Sequence, residues 1–264
     1  MVKVKDILDY MEKLAPSARK EDYDNVGLLA GFPEMGVIRV LTALDITDAV
    51  IEEARRMGAE VIVAHHPVIF GALSAVRDDD LTGRKVIKMI KYGISAICMH
   101  TNLDVSNGGV NEVLARQVGL EEPFVPYPAG VDDEGRLYGL MRCGYLREEM
   151  DLADYLAFVK ERLGAAGLRY VDAGRRVSKV AVIGGAGGSE LQAAVNADCD
   201  TFITSDVKHN VFLDAADLGV NLIDAGHFPT ENGITAELAR LIREEFPRLE
   251  VKASRAGCQP EKFY

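Results

Sequence analysis

The sequence predicts an α/β protein with mostly parallel sheets. Segments of helical and strand periodicity alternate almost from end to end, as in chains that lay helices over a parallel sheet. Several strand-like runs also empty directly into turns carrying His and acidic residues. In parallel sheets the carboxyl ends of the strands share an edge, and ligands bind there.

In order, Val2–Leu14 has apolar residues at helical spacing and stops at Pro16. Val37–Leu44 reads as a strand. Thr47 caps a helix over Asp48–Met57 that ends at Gly58. Val61–Ala64 is a short apolar strand running into His65-His66-Pro67. A helix over Thr82–Tyr92, a strand over Ile94–Met99 and a helix over Gly109–Val118 follow. The stretch Glu121–Gly135, rich in Pro, Gly and acid, breaks this rhythm. We therefore expect a first lobe over 1–122 plus 228–264 and a second over 123–227. The second set has strands over Leu137–Leu146, Leu168–Val171, Val177–Ile183, Thr201–Thr204 and Val220–Asp224. Its helices are Leu152–Leu163, Glu190–Asn196 and Val207–Leu218, before a long helix Thr230–Glu245 and a last strand Leu249–Ala253.

Composition narrows the function classes. The chain has 264 residues, 48% hydrophobic and 27% charged, which is ordinary globular composition. With 30 Lys and Arg against 41 Asp and Glu the net charge is −11, and no basic run appears, which disfavours nucleic-acid binding. The cysteines Cys98, Cys143, Cys199 and Cys258 form no C-x-x-C pair and read as buried reduced thiols. No apolar stretch has membrane-span length, and the N-terminus is an amphipathic helix rather than a leader. A cytoplasmic protein without a membrane partner is the expectation.

The histidines carry the chemical signal. His65, His66, His100 and His227 lie just beyond strand ends, and His209 lies within a few residues of one. Alternation along an extended segment sends His65 and His66 to opposite sides, which suits two neighbouring ions, one each. His227 and Glu231 are spaced i, i+4 and share one face of a helix start, where Glu231 is favoured as a carboxylate. Asp104 adds further negative charge. Three imidazoles and two carboxylates suit Zn, Fe, Mn or Co better than Ca or Mg, and leave open positions, as catalytic sites do. In an extended HTNLD segment, His100, Asn102 and Asp104 share a face. His100 is thus a candidate acid or base, against a structural hydrogen-bonding role. His209 is a second such candidate, against a histidine that merely starts a helix. The loop Gly184–Ser189 joins a strand to a helix and reads either as a phosphate turn or as a close-packed turn with Ser189 as N-cap. Asp24 and Asn25, before a short strand, read either as a turn only or as a border of the site.

The strings YDNVGLLAG, AHHPVIF, HTNLD and AGHFPTENGI, in that order over nearly the whole chain, resemble the GTP cyclohydrolase 1 type 2 family of dinuclear-metal-centre, Ngg-interacting-factor-like proteins. Residue by residue, the resemblance puts the metal ligands on His65, His66, Asp104, His227 and Glu231. It implies two interlocked α/β lobes with two divalent ions in the cleft between them, and a homohexamer built as a trimer of dimers. The chain matches the compact form without an inserted domain. The family's Thr-Gly-Glu motif reads Thr204-Ser205-Asp206 here. The resemblance implies a hydrolase acting on a purine nucleotide or similar small molecule, with metal trafficking or insertion, or a regulatory role without turnover, as the alternative.

Overall fold

Parallel strands whose ends register with one another organise both halves of the molecule. The computed structural model describes residues 1–264. The chain begins with α1 (Val4–Leu14), β1 (Gly27–Ala30), β2 (Arg39–Ala43), α2 (Asp48–Met57), β3 (Val61–Ala64), α3 (Leu81–Tyr92), β4 (Ser95–Cys98), α4 (Thr101–Val105) and α5 (Val110–Gln117). Next come β5 (Glu121–Phe124), β6 (Gly130–Val131), β7 (Leu137–Tyr138), β8 (Arg142–Met150), α6 (Leu152–Leu163), β9 (Arg169–Val171) and β10 (Val177–Val182). The last are α7 (Leu191–Asn196), β11 (Thr201–Thr204), α8 (His209–Leu218), β12 (Asn221–Asp224), α9 (His227–Glu231), α10 (Gly233–Glu245) and β13 (Glu250–Ala253). The chain divides into one unit of Met1–Leu103 with Ile234–Cys258, and another of Asp104–Gly233 with Gln259–Tyr264. No helix is long and apolar enough to cross a membrane.

The first unit is built on a five-stranded sheet in the order β1-β4-β3-β2-β13, parallel except for β1. Ile62, Ala64, Ala96 and Cys98 of the sheet pack with Val50, Ile51 and Ala54 of α2 and Met89 of α3. Helix α2 forms as expected: the Val50 amide donates to Thr47 Oγ1, and Gly58 closes the helix at φ 69°. The parallel register pairs Ala43 with Ala64 and Ala64 with Cys98. Consequently Asp45, His65-His66 and His100 all leave the sheet at one edge.

The second unit has a six-stranded sheet in the order β5-β8-β10-β11-β12-β9. Its centre, β10-β11-β12, is parallel, and β5, β8 and β9 flank it antiparallel. Two apolar clusters cover its faces, one around Tyr155, Val180 and Ile203, the other around Phe202, Leu222 and Ala215. Thr204 registers with Asp224, so the segments leading to Asp206 and to His227 leave at a common edge.

Several expectations change. The strand expected over Leu137–Leu146 is two strands: β7 pairs with β6 in a hairpin, and β8 begins at Arg142. Between them the Gly139 amide is taken by the Val105 carbonyl, and a Cβ at 139 would lie 2.5 Å from the Tyr127 carbonyl oxygen. Glu121–Phe124, inside the Pro-rich stretch, is edge strand β5 despite Pro123. The long helix expected over Thr230–Glu245 is two helices, α9 and α10, meeting at Asn232. Cys98, Cys143 and Cys199 are buried and unbridged as expected, whereas Cys258 is exposed. Burial pushes the Cys98 thiol up to about 12.

Candidate metal centre

In the first unit three imidazoles converge. The chain bends directly after β3, so His65 and His66 do not diverge as extended neighbours do; their ring centroids lie 4.9 Å apart. His100 joins them, 5.2 Å from the His65 ring and 5.5 Å from the His66 ring. Ligand atoms of these three residues all lie within 4.8 Å of one another. His65 is completely buried and the other two are partly so.

Each ring is fixed from behind. His65 Nδ1 lies 2.8 Å from the Met99 carbonyl oxygen, His66 Nδ1 2.7 Å from Asp45 Oδ1, and His100 Nδ1 2.8 Å from Asp24 Oδ1. A carbonyl or a carboxylate only accepts, so the proton sits on Nδ1 and Nε2 carries the lone pair. Such backing is what metal-binding histidines characteristically have. Asp24 is itself held by the Thr101 amide and hydroxyl. Burial pushes its carboxyl up, but these bonds and His100 outweigh that, and the group is held below the usual carboxylate range.

The segment after His100 is not extended. Thr101–Val105 forms α4, so the shared extended face expected for His100, Asn102 and Asp104 does not exist. Asn102 is fully buried; its Oδ1 accepts from the His100 amide and its Nδ2 donates to the Ala15 carbonyl, which makes it a structural brace.

In the second unit the i, i+4 spacing places His227 and Glu231 at the two ends of the five-residue α9, with His227 Nε2 3.0 Å from Glu231 Oε2. Glu231 thus ends a short helix just before α10 and does not lie at the start of a long one. Asp206 stands 2.7 Å from His227 Nδ1, so this fourth histidine has a carboxylate behind it, as His66 and His100 do. The hydrogen bond to Glu231 leads in pushing His227 up to about 9, with Asp206 adding to it against the opposing effect of burial. The acid of the Thr204-Ser205-Asp206 segment is thus in contact with His227. Asp104 is partly buried in α4, and its carbonyl oxygen accepts from Asn111 Nδ2. His209 is the exposed first residue of α8.

The glycine loop packs closely against α9. Three of its amides are taken: Gly184 donates to Asn111 Oδ1, Gly185 to Thr230 Oγ1 and Gly187 to Thr204 Oγ1. Ser189 lies inside a 3₁₀ turn, Gly188–Glu190, and caps nothing. Gly185 has φ +62°, and a Cβ there would lie 2.2 Å from Glu231 Oε1. Glycine is required at that position to seat the carboxylate. The sequence marks the Gly184–Ser189 loop, with a close-packed turn as one reading, but not its contact with Glu231, and it does not mark Asp45, whose signal is its place directly after a strand, as for the histidines.

These donors fit divalent transition ions. The imidazoles of His65, His66 and His100, each with its Nδ1 on an oxygen, and the seated Glu231 carboxylate beside His227 suit Zn, Fe, Mn or Co.

Comparison with known proteins agrees in extent. A family model described as Duf34/NIF3 (NGG1p interacting factor 3) matches residues 2–260. A "GTP cyclohydrolase 1 type 2 homolog" of Clostridium perfringens is 34% identical over 99% of this chain and 100% of its own length. One of Clostridium acetobutylicum is 35% identical, covering 87% of this chain and 85% of its own. The crystal structure of a hypothetical protein from Staphylococcus aureus superposes with a TM-score of 0.91 at 30% identity, over 99% of both chains. A Bacillus cereus protein related to NIF3 reaches 0.88 at 26% identity over the full length of both.

Proposed function

Since the chain belongs to the Duf34/NIF3 family, we propose that it is a metal-dependent hydrolase in which His65, His66, Asp104, His227 and Glu231 hold two divalent ions. The observation that carries this reading is the backing of the histidines, each with Nδ1 on an oxygen so that Nε2 is the atom turned toward a ligand, together with Glu231 beside His227 Nε2. The relatives named for a GTP cyclohydrolase support a purine nucleotide, or a similar small molecule, as substrate. The homohexamer implied by the motif resemblance belongs to the same proposal.

Bound ions would supply Lewis acidity, activating water and polarising an oxygen of the substrate. The chain's own residues do the rest. Glu231 and Asp104 offset the charge of the ions, and Asp45, Asp24 and Asp206 keep the imidazoles in one tautomer. His100, backed by Asp24 and beside His65 and His66, is placed to move a proton at its Nε2. His209 is the second candidate for proton transfer.

The test is elemental analysis of purified protein followed by a nucleotide activity screen of the metal-loaded form. Two metal equivalents per chain and turnover lost in Glu231→Ala are expected. Less than one equivalent overturns the site. Two equivalents with no turnover, but transfer of metal to an apo-acceptor, would replace hydrolysis with metal delivery.

A further inference from the structure

The open edge of the first sheet lies beside a groove of about 910 Å³ whose lining includes Arg56, Met57, Arg243, Val251, Lys252 and Arg255. In a chain of net charge −11 this is an unusual concentration of cations. The acids nearby are already engaged. Glu53 accepts from Ser254 Oγ and from the amides of Arg255 and Ala256, and Glu250 pairs with Lys252. Arg56 donates through Nε to the Glu52 carbonyl and lies near Glu53, while Arg243 and Arg255 also line the groove.

Strand β13 borders this groove and pairs on one side only, with β2. The Glu250 and Ser254 amides donate to Ile38 and Thr42 across that pairing. Residues alternate in direction along a strand, so the amides and carbonyls of Val251 and Ala253 face the open edge. The β1 and β5 edges are blunted. β1 carries an irregularity between Leu28 and Ala30, and β5 carries Pro123 together with Glu122 at φ 43°. β13 has neither a proline nor a bulge, and only its four-residue length and the charges of Glu250 and Lys252 guard it.

We propose that β13 and its groove bind an extended acidic segment of a partner protein, which adds to the sheet as a further strand. The outward-directed backbone groups of Val251 and Ala253 supply register, as in recognition by strand addition. Arg56, Arg243 and Arg255 take the acidic side chains that point into the groove, while Met57 and Val251 give the alternate residues an apolar floor. The surface is independent of the histidine centre, so metal content does not bear on it.

The probe is a short fluorescein-labelled peptide alternating glutamate with valine, followed by anisotropy against the full chain. Saturable binding that weakens with salt is expected. A tenfold or greater loss is expected in the double variant Arg243→Glu, Arg255→Glu. A similar loss is expected in Ala253→Pro, which removes an outward-facing donor from an edge position where proline is tolerated. Three results overturn the proposal: no saturable binding, equal binding of a lysine–valine peptide, or Ala253→Pro that is folded and binds like the parent. In the last case, if inorganic tripolyphosphate displaces the peptide, the groove is a site for small polyanions instead.

Discussion

His66 Nδ1 lies 2.7 Å from Asp45 Oδ1, a contact between residues that leave neighbouring parallel strands at the same sheet edge. The carboxylate holds the imidazole with Nε2 unprotonated and raises its basicity. Under the proposed function, Asp45→Ala weakens metal binding by about 10–100-fold while leaving the fold intact. Competition with a chromophoric chelator measures this. An unchanged affinity would show that the tautomer of His66 is set in some other way.

Gly185 gives a sharper structural test. A methyl group there meets Glu231 Oε1 at 2.2 Å, on a backbone at φ +62°. Gly185→Ala is expected to cost roughly 1–2 kcal/mol for the left-handed conformation alone, and to displace the carboxylate as well. Urea unfolding should show the first effect and elemental analysis the second. Gly188→Ala, where the nearest atom would be 3.8 Å away and no positive φ is imposed, is the matched control and should change neither.

How far the sequence made this visible depends on the range of the interactions. Helix α2 was legible to the residue, because Thr47, Gly58 and the apolar spacing between them are local signals. His227 and Glu231 were legible for the same reason. Asp45 was not, because it meets His66 only through the parallel register of β2 and β3. The break between α9 and α10 was hidden as well. Gly233 packs where a Cβ would lie 2.4 Å from the Gln117 side-chain oxygen, a tertiary contact that periodicity cannot carry. The HTNLD segment misled because its helix is only five residues long and is braced by Asn102 against Ala15.

Glu53 links pH to the stability of the first unit. Burial raises its carboxyl pKa, but the bonds from Ser254, Arg255 and Ala256 outweigh that and hold it below the usual glutamate value. A depressed folded pKa means that the contribution is fully present above the unfolded value of about 4.3 and fades as pH falls through the folded one. Glu53→Gln should therefore lower the urea midpoint at pH 7 and lose that deficit progressively as the pH falls below 4. A gap between variant and parent that grows on acidification contradicts the assignment.

Removing metal supplies a test of the centre that needs no substrate. An ion that binds the folded chain and not the unfolded one stabilises it by about 2.7 kcal/mol when its free concentration is a hundred times its dissociation constant. Dialysis against a chelator should then lower the melting temperature, and Zn, Mn, Fe or Co should restore it where Mg does not. His65 makes the experiment specific, since its ring is fully buried and bonded to the Met99 carbonyl. A His65→Ala chain should melt at one temperature with or without chelator, because it has lost the site whose occupancy the shift reports. If chelator shifts that variant as much as the parent, the stabilising ion binds elsewhere on the chain.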